Sequence, residues 1–196
     1  MIQQGENRYK SALQAMWECC FPSDMECFIS FYFDEIYKNE ETLLYLIGDQ
    51  PVASLQMIPY WIKTGSTIQL GGYISGAMTH PDYRRNGYMH ELLTASFDEM
   101  IKKGYDYTFL IPQKKELISM YAKYGFLLCE PNPQPPKNKV LKTLKQWAKT
   151  QQCFFDETGI LLENEPVFPN EQKGMIKRLN PAVEEITTLY MGMMLD

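Results

Sequence analysis

The 196-residue chain has no apolar run approaching the roughly 20 residues that a membrane-spanning helix needs. Its first residues, Met1-Ile2-Gln3-Gln4-Gly5-Glu6, lack the basic-then-apolar pattern of a secretory signal. A soluble, cytoplasmic protein with no membrane partner is therefore expected. Histidine is scarce, with only His80 and His90, and none of the five cysteines (Cys19, Cys20, Cys27, Cys129, Cys153) forms a C-x-x-C pair. No metal and no disulfide framework are expected, and the thiols read as reduced, mostly buried small hydrophobes. A basic surplus is missing too: 19 Lys and Arg against 24 Asp and Glu leave a net charge of −5. That balance speaks against nonspecific nucleic-acid binding. Neither G-x-x-x-x-G-K-[ST] nor G-x-G-x-x-G occurs, which disfavours a P-loop or dinucleotide site.

What is present suffices for a core. The chain is 45% hydrophobic and 13% aromatic, and its 22% of charged residues is ordinary for a globular protein. Residues 7–20 and 24–38 read as two helices broken at Phe21-Pro22-Ser23, with Ser23 or Asp24 able to cap the second. Strands are expected at 42–48, 52–62 and 67–71, and Gly71-Gly72 then leads into an extended stretch over 73–79. The clearest helix is 87–103. Met89, Leu92, Leu93, Phe97, Met100 and Ile101 share its apolar stripe, Ser96 is a gap, and Gly104 is the stop. An almost wholly apolar strand at 105–111, a short helix at 114–124 and a strand at 126–130 follow.

Pro131, Pro133, Pro135 and Pro136 then make a stiff linker. It leads to an amphipathic basic helix around Val140–Lys149 and to strands at 173–179 and 187–195. The order predicts an α/β fold with a mixed sheet and helices on both faces, with a core over 1–130 and an extension over 131–196 packed on the same domain. Six acids and one base between Asp24 and Glu41 read as a solvated helical face or, more sharply, as a rim attracting a cationic substrate.

The chemistry concentrates at Gly76-Ala77-Met78-Thr79-His80-Pro81-Asp82-Tyr83-Arg84-Arg85-Asn86-Gly87-Tyr88-Met89. A strand ends, a basic loop passes and a strong helix starts. Free amides at a helix start attract anions, Arg84 and Arg85 add charged donors, and Gly87 lets the backbone approach closely. The physics points to a phosphate or diphosphate without saying whose.

This segment resembles the GNAT N-acetyltransferase superfamily, whose signature is V-x-P-x-[YFW]-R followed by [QR]-x-x-G-x-[GA] at a helix start. Here Thr79-His80-Pro81-Asp82-Tyr83 precedes Arg84-Arg85-Asn86-Gly87-Tyr88-Met89, and Met89 stands where Gly or Ala is usual. Downstream, Tyr121-Ala122-Lys123-Tyr124-Gly125-Phe126 is similar to the family's Y-x-K-x-G-F box. Gly72-Tyr73-Ile74-Ser75-Gly76-Ala77 and Phe109-Leu110-Ile111-Pro112 resemble the N-terminal domain of the enhanced-intracellular-survival type, which acts on polyamine-like and aminoglycoside amines.

The resemblance implies an acetyl-CoA-dependent N-acetyltransferase acting on a primary amine of a small molecule or peptide by direct attack. Ala77, Met78 and Thr79 would supply main-chain contacts to pantetheine. The amides of Arg85, Asn86, Gly87, Tyr88 and Met89 would hold the diphosphate, and Tyr121 would be the general acid. Glu26, Asp34 and Glu35 are candidate bases that read first as surface acids, and His80 reads as structural. A role for the Asp196 carboxylate at the site is a further, weaker implication. A homodimer is compatible with the resemblance, and the alternative to an enzyme is a non-catalytic acyl-CoA-binding module.

Overall fold

In the computed structural model the described residues are 1–22, 24, 26–64, 66–129, 138–141 and 174–187. The strands are β1 (Ile2–Gln4), β2 (Thr42–Ile47), β3 (Gln50–Thr64), β4 (Thr67–Thr79), β5 (Tyr107–Leu110), β6 (Leu127–Leu128), β7 (Asn138–Leu141) and β8 (Met175–Arg178). The helices are α1 (Lys10–Cys20), α2 (Glu26–Phe31), α3 (Tyr88–Lys102) and α4 (Lys115–Ala122). The hydrogen-bonded strand order is β1-β2-β3-β4-β5-β8-β6, with β7 also paired to β3. The β4–β5 pair is parallel, and β1–β2, β2–β3, β3–β7, β5–β8 and β6–β8 are antiparallel, giving the expected mixed sheet. The chain divides into two compact units, Met1–Ile58 with Ile74–Met100, and Pro59–Tyr73 with Ile101–Asp196.

In the first unit α1 buries Leu13, Met16 and Trp17. After α2 the chain winds one wider turn over Tyr32–Ile36, closed by the Tyr37 amide on the Tyr32 carbonyl at 2.8 Å. Tyr32, Phe33 and Ile36 of this turn are buried. The Asp24 carboxylate accepts the Trp17 indole N–H at 2.7 Å, whereas Ser23 lies outside the described residues.

Helix α3 keeps the expected stripe except at Ile101. Ser96, read as a gap, is fully buried and donates to the Leu93 carbonyl at 2.7 Å, while Ile101 is exposed. A hydroxyl can sit in a core when it returns its hydrogen bond to its own helix. Leu92, Leu93, Phe97 and Met100 carry the burial, each side chain contributing about 1.5–3 kcal/mol.

In the second unit Gly71-Gly72 does not end a strand, since β4 runs unbroken from Thr67 to Thr79. A Cβ at Gly71 would stand 2.6 Å from Ile62 Cδ1 and 3.0 Å from Phe109 Cε1, so the glycine admits close packing rather than a turn. Strand β5 is buried along its whole length, as an apolar central strand should be. Asp106 organises the strand's start: its carboxylate accepts from the Leu70 amide at 3.3 Å and the Asn180 side chain at 2.8 Å.

One expectation in the tail changes and one holds. Asn138–Leu141 pairs with β3 as β7, from Trp61↔Leu141 to Thr64↔Asn138, where the sequence suggested the start of a helix. Met175–Arg178 is the expected strand, lying between β5 and β6. The proline linker, the rest of the basic helix, the strand beyond residue 187 and Asp196 lie outside the described residues. Strand β1, three residues long, had no counterpart in the expected order. Among the described residues no helix is long and apolar enough to cross a membrane.

Candidate functional site

The turn between β4 and α3 is built as follows. The His80 amide donates to the Val52 carbonyl at 2.9 Å, tying the end of β4 to β3. Pro81–Tyr83 forms one 3₁₀ turn, with His80 Nδ1 accepting from the Asp82 amide at 3.4 Å and the imidazole edge-on to the Tyr83 ring. His80 thus caps and braces the turn, in keeping with its structural reading. Asn86 closes the loop from the other side: its side-chain N–H group donates to the carbonyls of Tyr83 (3.1 Å) and Arg84 (3.3 Å).

Two residues then take left-handed backbone angles, Arg85 at φ 66° and Gly87 at φ 84°. Arg85 is the one non-glycine residue at positive φ among the described residues. Gly87 is exposed, and a Cβ built on it would meet nothing within 4 Å. Open space therefore lies over the backbone at the mouth of α3. The first intrahelical bond runs from the Glu91 amide to the Gly87 carbonyl at 3.1 Å. The amides of Gly87, Tyr88 and Met89 precede it and fall among the donors a helix start leaves without intrahelical partners. The Tyr88 ring lies against Tyr45, 4.4 Å between centroids, which fixes the first helical turn on β2. Burial, with Glu91 nearby, pushes the Tyr45 phenol up.

The two arginines differ. Arg84 Nε donates to the Thr79 carbonyl at 3.2 Å and its Nη2 lies 3.9 Å from Cys20 Sγ. Cys20 Sγ donates to the same carbonyl at 3.3 Å. Ala77 is half-buried and Met78 buried in the last residues of β4.

In the second unit Tyr121 sits on α4, 7% exposed, its ring edge-on to Phe126 at 5.8 Å. Burial, with Tyr124 beside it, pushes its phenol up to about 12. Gly125 ends this segment at φ 84°, and Lys177 Nζ donates to the Tyr124 carbonyl at 2.6 Å.

The candidate bases Glu26, Asp34 and Glu35 are all exposed, and Asp34 is paired with Lys10 at 3.4 Å. Cys19 is exposed, Cys20 half-buried and Cys129 buried, so the thiols are less uniformly interior than expected. Cys20 is a site neighbour that sequence reasoning missed. It stands 59 residues from Thr79, and no local pattern links the two.

The acetyltransferase (GNAT) domain model matches residues 3–129. No curated protein sequence matches the chain. Among solved structures, a GCN5-related N-acetyltransferase from Anabaena variabilis is similar at 18% identity and TM-score 0.58, over 66% of this chain and 32% of that one. Eis1 from Mycobacterium abscessus is similar at 11% identity and TM-score 0.56, over 69% and 36%. Rv2747 from Mycobacterium tuberculosis, in complex with CoA and NLQ, is similar at 12% identity and TM-score 0.54, over 91% and 98%. The chain thus spans about a third of the length of the first two. The family model covers well over half of the sequence, and the chain belongs to the acetyltransferase (GNAT) domain family.

Proposed function

We propose that the protein is an acetyl-CoA-dependent N-acyltransferase acting on a primary amine of a small molecule or peptide. The observation that carries this reading is the open backbone at Gly87. Open space over exposed Gly87, the dipole of the helix that starts there and the exposed Arg85 two residues upstream favour a diphosphate at this turn. Acetyl-CoA would supply a thioester carbonyl for the amine to attack and a thiolate as leaving group. Ala77 and Met78 would offer main-chain groups to the pantetheine arm. The Thr79 carbonyl already accepts from Arg84 and Cys20, so in this reading Thr79 has less to give the arm.

Tyr121 is our candidate for the acid. Its buried phenol stays protonated throughout the neutral range. Transfer from a phenol near 12 to a thiolate whose ordinary value is about 8.5 is uphill by roughly 5 kcal/mol. The reading therefore requires that exclusion of water raise the thiolate as well. The acidic face over Asp24–Glu41 would favour a cationic acceptor through its field, with no assigned base.

The burial of Tyr121 is also what favours the second reading, an acyl-CoA-binding module without catalysis. Calorimetry with acetyl-CoA, followed by thiol release across a panel of amines, tests both. Binding with turnover supports the enzyme, binding with no turnover on any amine supports the module, and absence of binding removes both.

A further inference from the structure

Gly76 bends β4 from within. A strand residue ordinarily lies at negative φ, yet Gly76 stands at φ 54° while β4 runs on through it to Thr79. One left-handed residue inside a strand re-aims the groups that follow, here Ala77 and Met78. Such a conformation persists only where its surroundings hold it.

Two aromatic residues of the helical segment hold this one. Trp17 fills the space beside Gly76, where an added Cβ would meet its ring. Tyr32 grips the residue before it. Its fully buried hydroxyl bonds Ser75 Oγ at 3.1 Å and also Gln56 Oε1 on the neighbouring strand β3. Ser75 is 9% exposed and Gln56 5%, so bulk water offers these groups little in place of the phenol. The two rings touch, 4.5 Å between centroids and tilted by 45°. Tyr32 also opens the wider helical turn, whose closing bond falls on its own carbonyl. Turns of that kind are rare and recur at functional sites.

We infer that Tyr32 is a positioning residue for the arm of the acyl donor: its hydroxyl, tying Ser75 to Gln56 beside Trp17, sets the bend at Gly76 that aims the main chain of Ala77 and Met78 at pantetheine. This rests on the acyl-CoA reading above and deepens it. Tyr32 acts through β4 and not on the donor itself. The turn at Gly87, where the diphosphate would be held, does not depend on the tie.

The test is calorimetric titration of the full chain with two ligands, CoA and 3′-phospho-ADP, which is the nucleotide half of CoA without its arm. Both carry the diphosphate and only CoA carries pantetheine. Tyr32→Phe keeps the ring and removes the tie. It is expected to weaken CoA roughly tenfold, while 3′-phospho-ADP stays within about twofold of the wild type. Ser75→Ala cuts the same tie from the β4 side and should give the same split, and it decides the question if Tyr32→Phe does not fold. Since both break one link, the double variant should weaken CoA no further than the worse of the two single variants.

A merely structural role would move both ligands together or neither. The proposal is overturned if the single variants bind CoA like the wild type, if they lose both ligands in equal proportion, or if the double variant multiplies the single losses. Failure of the wild type to bind 3′-phospho-ADP overturns the separation of arm from turn on which the proposal stands. Failure of the wild type to bind CoA overturns it together with the acyl-donor reading.

Discussion

Trp17 occupies the space that a side chain at Gly76 would need. A Cβ on Gly76 would stand 2.5 Å from Trp17 Cζ3, and Gly76 itself lies at φ 54° in the middle of β4. The contact seats α1 on the strand that leads into the turn, while the Trp17 indole is anchored by Asp24. Replacing Gly76 by Ala adds both left-handed strain and overlap with a large ring. The expected loss is about 2–4 kcal/mol of unfolding free energy, read from the shift in urea midpoint.

Gly87 is expected to respond differently, because the space over it is open. Gly87→Ala meets no steric wall, so its stability cost is only the left-handed strain, roughly 1 kcal/mol. Its Cβ would, however, stand over the backbone that faces the anion. A loss of one charged hydrogen bond corresponds to about a tenfold weaker CoA affinity. Chemical denaturation and calorimetry on the same variant separate the two effects.

Tyr121 carries a pH signature. Its phenol is raised from the ordinary 10 to about 12, so the fold favours the protonated form. The stability this contributes is fully present below pH 10 and is lost as pH rises from 10 toward 12, by up to about 2.7 kcal/mol. Tyr121→Phe lacks that component. The difference in unfolding free energy between wild type and variant should therefore shift progressively in the variant's favour across this window, and a constant difference would contradict the burial argument. If Tyr121 is the acid, the same variant should also turn over about a hundredfold more slowly with an amine acceptor.

Asp106 is a structural prediction away from the turn. Its carboxylate serves the Leu70 amide and the Asn180 side chain, and its carbonyl accepts from the amides of Leu179 and Asn180. Asp106→Ala should cost about 2–3 kcal/mol, measured by denaturant unfolding. Asp106→Asn, which keeps one acceptor oxygen, should cost less.

Local signals make the turn readable in the sequence. Arg84-Arg85-Asn86-Gly87 ahead of an amphipathic helix, with the Tyr121–Phe126 box downstream, depends on residues close in sequence. The helix α3 and the buried strand β5 were likewise legible from periodicity and apolarity. What failed depended on distant neighbours. Gly71 looked like a break because nothing nearby reveals that Ile62 and Phe109 press on it. Val140 and Leu141 head an apolar stripe of helical spacing in the sequence, yet Asn138–Leu141 is held as a strand by pairing with β3. Ser96, the polar interruption of the α3 stripe, is buried on it with its hydroxyl returned to Leu93, whereas Ile101 at the stripe's end is exposed. The contacts of Cys20 with Thr79 and Arg84 join residues 59 and 64 positions apart, beyond the reach of any local pattern.

The measurement that bears most directly on the central claim is a CoA titration of isotopically labelled protein followed through its backbone amide resonances. The amides of Gly87, Tyr88 and Met89 should move together and saturate with a single affinity, with larger shifts than those of exposed residues elsewhere, such as Glu35 or Asp98. Saturable CoA binding that leaves these three amides in place would contradict the account.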